Sequence, residues 1–148
     1  MIKTFRGRLD GSNDGDQVTI RLATNDGKIG YRINKFQIIQ QNPGVNDSEG
    51  LCQLWQYEQD DPSVKTIDFS NSELLGISLW TAEDGAHLYP EDTTIIFDRV
   101  AFNQDIFLTY IDIKAVNDNM NYYIELEQIK LDVNEAAVAT LKDMRGTN

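Results

Sequence analysis

The chain has 148 residues, 41% of them hydrophobic and 25% charged. That fits one globular domain with a single core and argues against disorder. Thirteen basic residues stand against 24 acidic, a net charge of −11, which disfavours non-specific contact with nucleic acid or an anionic membrane and attracts a basic partner surface.

Ile2 to Leu9 reads as the first strand. The run Asp10-Gly11-Ser12-Asn13-Asp14-Gly15-Asp16 is loop by composition, and is expected to be a solvated hairpin loop. It has oxygen side chains at alternating positions, like a calcium loop. The twelfth position of that register needs a bidentate Glu, however, and holds Arg21, so no metal is expected there. From Gln17 to Ala23, Val18, Ile20 and Leu22 alternate with Thr19 and Arg21. Asn25-Asp26-Gly27 then predicts a tight hairpin, since Asp-Gly supplies positive φ. The returning strand begins near Ile29 and continues through Phe36 and Ile38, with a bulge at Asn34-Lys35 to reset its phase.

A loop follows from Asn42-Pro43-Gly44 to Gly50, and its sequon Asn46-Asp47-Ser48 is read as accidental. Strands are predicted at Leu51–Glu58, Val64–Phe69 and Leu74–Trp80, and Thr81–Asp92 is irregular. Thr93–Phe97, Ile106–Ile113 and Tyr122–Ile129 complete a set of about nine, with Asn117-Asp118-Asn119 as the last turn. Short strands at this spacing define an all-β fold, a two-sheet β-sandwich of jelly-roll type over residues 1–131. Residues 132–148 form a C-terminal helix and tail. Asp132 and Glu135 make a capping box, Val133, Ala137 and Leu141 share a face, and Gly146 is the stop. That face either seals the sandwich or meets a neighbouring subunit.

Candidate chemistry is sparse. Cys52 lies among apolar residues and is expected to be buried and inert. His87 lacks companions for a metal site or a triad. Asp60/Asp61, Glu83/Asp84 and Glu91/Asp92 are adjacent pairs whose side chains diverge, unlike the facing acids of a glycosidase. No catalytic residue, cofactor or metal is assigned, and the chain is not read as an enzyme. Trp55, Tyr57, Trp80 and Tyr89 could stack on sugars, but Trp55 and Tyr57 alternate in phase with Leu51 and Trp80 ends an apolar strand after Ile77 and Leu79, so core or inter-subunit packing is expected of them. Tyr89, in the long loop, is the one expected to be exposed. Gly7, Gly30 and Gly76 are read as bends of a curved sheet.

No apolar run reaches the length of a membrane span, and Met1–Leu9 shows no signal-peptide pattern, so a reducing cytoplasm is the expected place of folding.

Several segments carry a resemblance: Met1-Ile2-Lys3-Thr4-Phe5-Arg6-Gly7, Gly27-Lys28-Ile29-Gly30-Tyr31-Arg32-Ile33, Phe36-Gln37 and Phe102-Asn103-Gln104-Asp105-Ile106. With Asn121-Tyr122-Tyr123-Ile124-Glu125-Leu126 and Val138-Ala139-Thr140-Leu141-Lys142-Asp143, they resemble small virion-associated proteins of marine bacterial viruses. The resemblance implies a structural role in the particle and transfers no binding residues. The expected role is a minor capsid or decoration protein, assembled in the bacterial host cytoplasm and resident in the virion. Its expected partners are copies of itself, a trimer among them, and a major capsid or other virion protein, with no nucleic acid or membrane. A glycan-binding module for host adhesion, using the four aromatic residues above, is the alternative. The first strand and the last helix are the expected contact elements, since termini are cheaply exchanged.

Overall fold

The computed structural model describes residues 1–24, 27–43, 47–82, 91–97 and 100–146, and of residues 91, 92 and 142–146 the backbone path alone. Eight strands precede one helix: β1 Ile2–Leu9, β2 Asp16–Ile20, β3 Ile29–Gln40, β4 Ser48–Trp55, β5 Leu74–Ala82, β6 Glu91–Ile96, β7 Ile106–Asp112, β8 Met120–Lys130 and α1 Val133–Gly146. The strands form two antiparallel sheets, ordered β1-β8-β3 and β2-β7-β4-β5-β6. The chain therefore changes sheet after β1, β2, β3 and β7, and the strand order is that of a jelly roll. The predicted fold class is observed.

Alternation drives the architecture. Even positions of β8 (Met120, Tyr122, Ile124, Leu126) face even positions of β7 and β4 (Ile106, Leu108, Tyr110, Cys52, Leu54), and all are buried in one cluster. Each such side chain contributes about 1.5–3 kcal/mol by leaving water. The sequence-predicted bulge is present, with β3 slipping register against β8 between Ile33 and Lys35. Without it Phe36 and Ile38 would point to solvent, whereas both are buried. Cys52 is fully buried, and that burial pushes its thiol pKa well up.

Several expectations are corrected. Gly27 does sit at positive φ, 66°, but β2 pairs with β7 and β3 with β8. The connection around Gly27 thus crosses between sheets and closes no hairpin; Asn25 and Asp26 lie outside the described residues. Local turn chemistry suits either path, and burial of both inner faces selects the crossing. The Asp10–Asp16 loop is likewise a crossing, and the Asp16 carboxylate is spent on the backbone amides of Asp10 and Gln17, both at 2.8 Å. Val64–Phe69 forms no strand. β4 already has β7 and β5 on its two edges, so this segment finds no open ladder beside it.

The helix begins as predicted: the Glu135 amide donates to Asp132 Oδ1 at 2.7 Å and the Asp132 amide to Glu135 Oε1 at 3.4 Å. Its docked face differs from the one expected. Ala136 and Ala139 are buried beside Leu131, whereas Val133 and Leu141 are exposed. Small side chains win because the helix must approach Asn103, whose Nδ2 donates to the Ala136 and Gly27 carbonyls. No helix among the described residues is long and apolar enough to cross a membrane.

At one end of the sandwich three crossings are tied together by Asn117-Asp118-Asn119. The Gly11 amide donates to Asn119 Oδ1 at 2.8 Å, the Gln41 amide to the Asn119 carbonyl at 2.9 Å, and Asn42 to both Asp118 carboxylate oxygens. Gly11 lies so close that a Cβ there would collide with the Asn117 carbonyl, whereas one on Gly76 would meet the Ile95 carbonyl oxygen at 3.3 Å. Gly11→Ala should therefore cost about 2–3 kcal/mol and Gly76→Ala about 1 kcal/mol or less, because overpacking against backbone cannot relax cheaply. Urea denaturation of the two variants checks the difference; equal stabilities would refute it.

Candidate functional site

Of the four aromatic residues, the structure describes Trp55, Tyr57 and Trp80. Trp80 is 8% exposed and lies in the core, its indole N–H donating to Gln40 Oε1 at 2.8 Å. Ser48 Oγ donates to the same oxygen, so Gln40 joins β3 of one sheet to β4 and β5 of the other. Tyr57 is also buried, at 8%. Trp55 is half-buried on the outer face of the five-stranded sheet, its N–H donating to Thr109 Oγ1 at 2.9 Å. Tyr89 lies outside the described residues, as do His87 and the Glu83/Asp84 pair. Gly7 and Gly30 are places of close approach: Tyr122 and Leu131 fill the space a Cβ would take. Among the described residues no three His, Cys, Asp or Glu side chains gather in a metal-holding group.

What the structure does organise is its outer surface. On the outer side of β1, β3 and β8 stand Arg6, Arg8, Arg32 and Lys35 against Glu125 and Glu127, four basic residues to two acidic, a net of +2, while Lys3 and Lys130 fall on the register side of the buried Ile124 and Leu126. The strands of the five-stranded sheet carry Asp16, Glu49, Glu91, Asp92 and Asp112 with no Lys or Arg, and of these Asp112 is buried. A chain of net charge −11 thus concentrates nearly half of its thirteen cations on one small sheet.

The register shows how the basic face is built. Arg8, Asn121 and Ile39 form one outward row, Arg6, Tyr123 and Gln37 the next, and Thr4, Glu125 and Lys35 a third. Arg6, Arg8, Lys35 and Ile39 are exposed, and Lys35 Nζ stands 5.9 Å from the Tyr123 ring centre. Tyr123 Oη donates to Glu125 Oε2 at 3.2 Å, and partial desolvation with that acceptor and its charge raises the phenol's pKa. Across the first two rows runs a groove of about 490 Å³, lined mainly by apolar atoms.

The opposite face is covered by a strap, residues 56–73. It is pinned at β2 by the Gln17–Gln59 pair, at 2.9 and 3.0 Å, and at β6 by an edge-to-face contact of Phe69 on Phe97 with centres 4.9 Å apart. On this outer side Leu51, Ile77 and Ile111 are buried, with Leu79, Phe97 and Ile113 packed against them. The strap carries Glu58, Asp60, Asp61, Asp68 and Glu73 against Lys65, a net of −4, and exposes Val64, Ile67 and Phe69. Phe69 is 57% exposed despite its contact with Phe97.

Charge and periodicity were legible in the sequence. Their partition between two faces was not, because it depends on which strands share a sheet.

No protein-family model matches the chain, and no curated protein does either. Among solved structures the chain is similar to VP1 of trichodysplasia spinulosa-associated polyomavirus, determined in complex with 3'-sialyllactose. The TM-score is 0.41 at 7% identity, over 86% of this chain and 93% of that one. A likeness at that level carries no argument about what this chain binds.

Two outcomes test the strap. Leu51→Ala should cost about 2–5 kcal/mol and Phe69→Ala no more than about 1 kcal/mol, since one side chain is enclosed and the other mostly solvated. Denaturation midpoints that fall together would show that Phe69 belongs to the core. In addition, the Ser63 and Ser70 hydroxyls and amides hold the Asp61 and Asp68 carboxyls below the ordinary carboxylate value. A lowered folded-state pKa means the stabilisation is present above the ordinary value and lost as pH falls through the lowered one. Carbon-detected NMR titration should find both carboxyls titrating below the other exposed Asp residues, and Ser63→Ala with Ser70→Ala should move them part of the way back, since the backbone amides remain as donors.

Proposed function

We propose that this chain is a structural subunit of a virus particle, namely a minor capsid or decoration protein assembled in a bacterial host cytoplasm and resident on the shell. The observation that carries the reading is the segregation of charge, with a basic, grooved sheet on one side and an acidic strap with exposed apolar residues on the other. A protein acting alone has no use for two unlike faces of this kind. Exposed apolar side chains ringed by charge mark places where another surface sits.

Jelly rolls serve viral capsids and lectins alike, so the fold leaves the choice open. The glycan reading loses two of its platforms, since Trp80 and Tyr57 present no open ring face. The resemblance of Met1–Gly7, Gly27–Ile33 and Asn121–Leu126 to virion-associated proteins of marine bacterial viruses adds support in the same direction.

The expected partners are copies of this chain and a major capsid or other virion protein. On a symmetric lattice many weak contacts act together, which lets a small domain hold its place.

Gradient-purified particles, analysed by quantitative mass spectrometry, should contain this protein in a fixed ratio to the major shell protein. Antibody should label it on the particle surface. Its absence from particles that package their genome normally would end this reading.

A further inference from the structure

We infer that the grooved basic sheet of one copy receives the acidic strap of a second copy, in a head-to-tail contact. This contact rests on the reading of the chain as an assembling subunit, though not on the assembly being a virion.

Three features on the molecule point to a second copy as the occupant. First, the signs match. The outer face of the three-stranded sheet carries a net +2 and the strap a net −4, and like-signed contacts of either face with itself are repulsive. Second, the apolar parts match. The groove is bounded by Ile39, 55% exposed, and by Tyr123, while the strap projects Phe69 and Ile67. A groove of about 490 Å³ is in the size class that takes ring-bearing ligands. Third, the basic face is poorly suited to a nucleic acid. Its central strand carries Glu125 and Glu127, which would stand against a phosphate backbone.

The two surfaces lie on opposite outer faces of the sandwich, so one copy cannot satisfy itself. Nor can a two-fold dimer bring unlike faces together with both contacts made in a compact pair. A heterologous contact of this kind propagates, and it ends as a closed ring or continues as a filament. Closure at a small number of copies suits a subunit that sits on a shell.

The test uses the intact chain and two charge-reversed variants. One is Arg6→Glu with Arg8→Glu, on the sheet. The other is Glu58→Lys with Asp60→Lys and Thr66→Lys, on the strap, which turns its net charge from −4 to +1. All five residues are exposed, and thermal melting checks that each variant folds.

Sedimentation velocity at about 50 mM salt should show the unaltered chain forming species larger than a dimer, which dissociate at about 500 mM as screening shortens the range of the charges. Each variant alone should associate at least tenfold more weakly. Mixed in equal amounts, the two should regain association, because the reversed sheet of one now fits the reversed strap of the other. That rescue is specific to a head-to-tail contact.

A chain that stays monomeric at low salt, a species that stops at two copies, or a mixture that fails to associate would each overturn the contact. So would tight binding of a duplex oligonucleotide by the groove that Arg6→Glu and Arg8→Glu abolish. Particle composition is scored on the same variants. Loss of self-association with the protein still in the particle removes this contact and leaves the structural role. Absence from particles with self-association intact does the reverse.

Discussion

The structure depends on carrying the chain repeatedly between two sheets, and on fastening those crossings where they turn. The key fastening is the β7–β8 connection. Asp112, 1% exposed, accepts the amides of Glu49, Lys114 and Asn117 at 3.2, 3.0 and 3.1 Å. A carboxylate is taken out of water here only because backbone donors replace its hydration. It holds Ala115 and Asn117 at positive φ, 59° and 60°, which Asn tolerates well and Ala does not. The reward is position: Asn117-Asp118-Asn119 then reaches the β1–β2 and β3–β4 crossings, and Tyr110 Oη donates to the Asp118 carbonyl at 2.6 Å. Burial above all, then the nearby Asp112, Cys52 and Asp118, pushes the Tyr110 phenol up in pKa and keeps it a donor.

From that fastening the surface follows. Once β1, β8 and β3 are forced into one sheet, the odd-even rule sends Arg6, Arg8 and Lys35 outward together, although they are far apart in sequence. Once β7 and β5 flank β4, residues 56–73 cannot pair beside the strand they follow, and they lie across the sheet instead. The apolar residues that read as a strand in sequence then divide. Phe69 reaches the ring of Phe97, which packs on Leu51, Ile77 and Ile111, and Val64, Ile67 and most of Phe69 remain in water. The two unlike faces are thus consequences of topology acting on an ordinary alternating pattern.

This also explains what was legible from sequence. Strand positions, the bulge at Asn34-Lys35 and the Asp132–Glu135 cap are local, written in residues next to one another, and they could be read. Pairing is non-local. Asp26-Gly27 has the chemistry of a hairpin, yet the strands on either side find their partners elsewhere, because burying two faces against each other outweighs one tight turn. The helix face was misjudged for a related reason. Val133 and Leu141 are the larger apolar side chains, but the docking distance is set by Asn103, and only Ala136 and Ala139 fit it. The aromatic residues were identifiable as a group, whereas their burial by Gln40 and the strap was not.

Net charge was the least informative number for function, and the reason is a matter of length scales. Two packed sheets lie about 10 Å apart, so the two outer surfaces are separated by roughly twice that once side chains are added. Charges in water are screened over about 8 Å at physiological ionic strength. A partner approaching β1 and β3 therefore meets Arg6, Arg8 and Lys35 and is nearly blind to the acids of the strap behind. The total of −11 is a property of the whole surface, whereas what a partner meets is set by the few charges within a Debye length of the face it approaches.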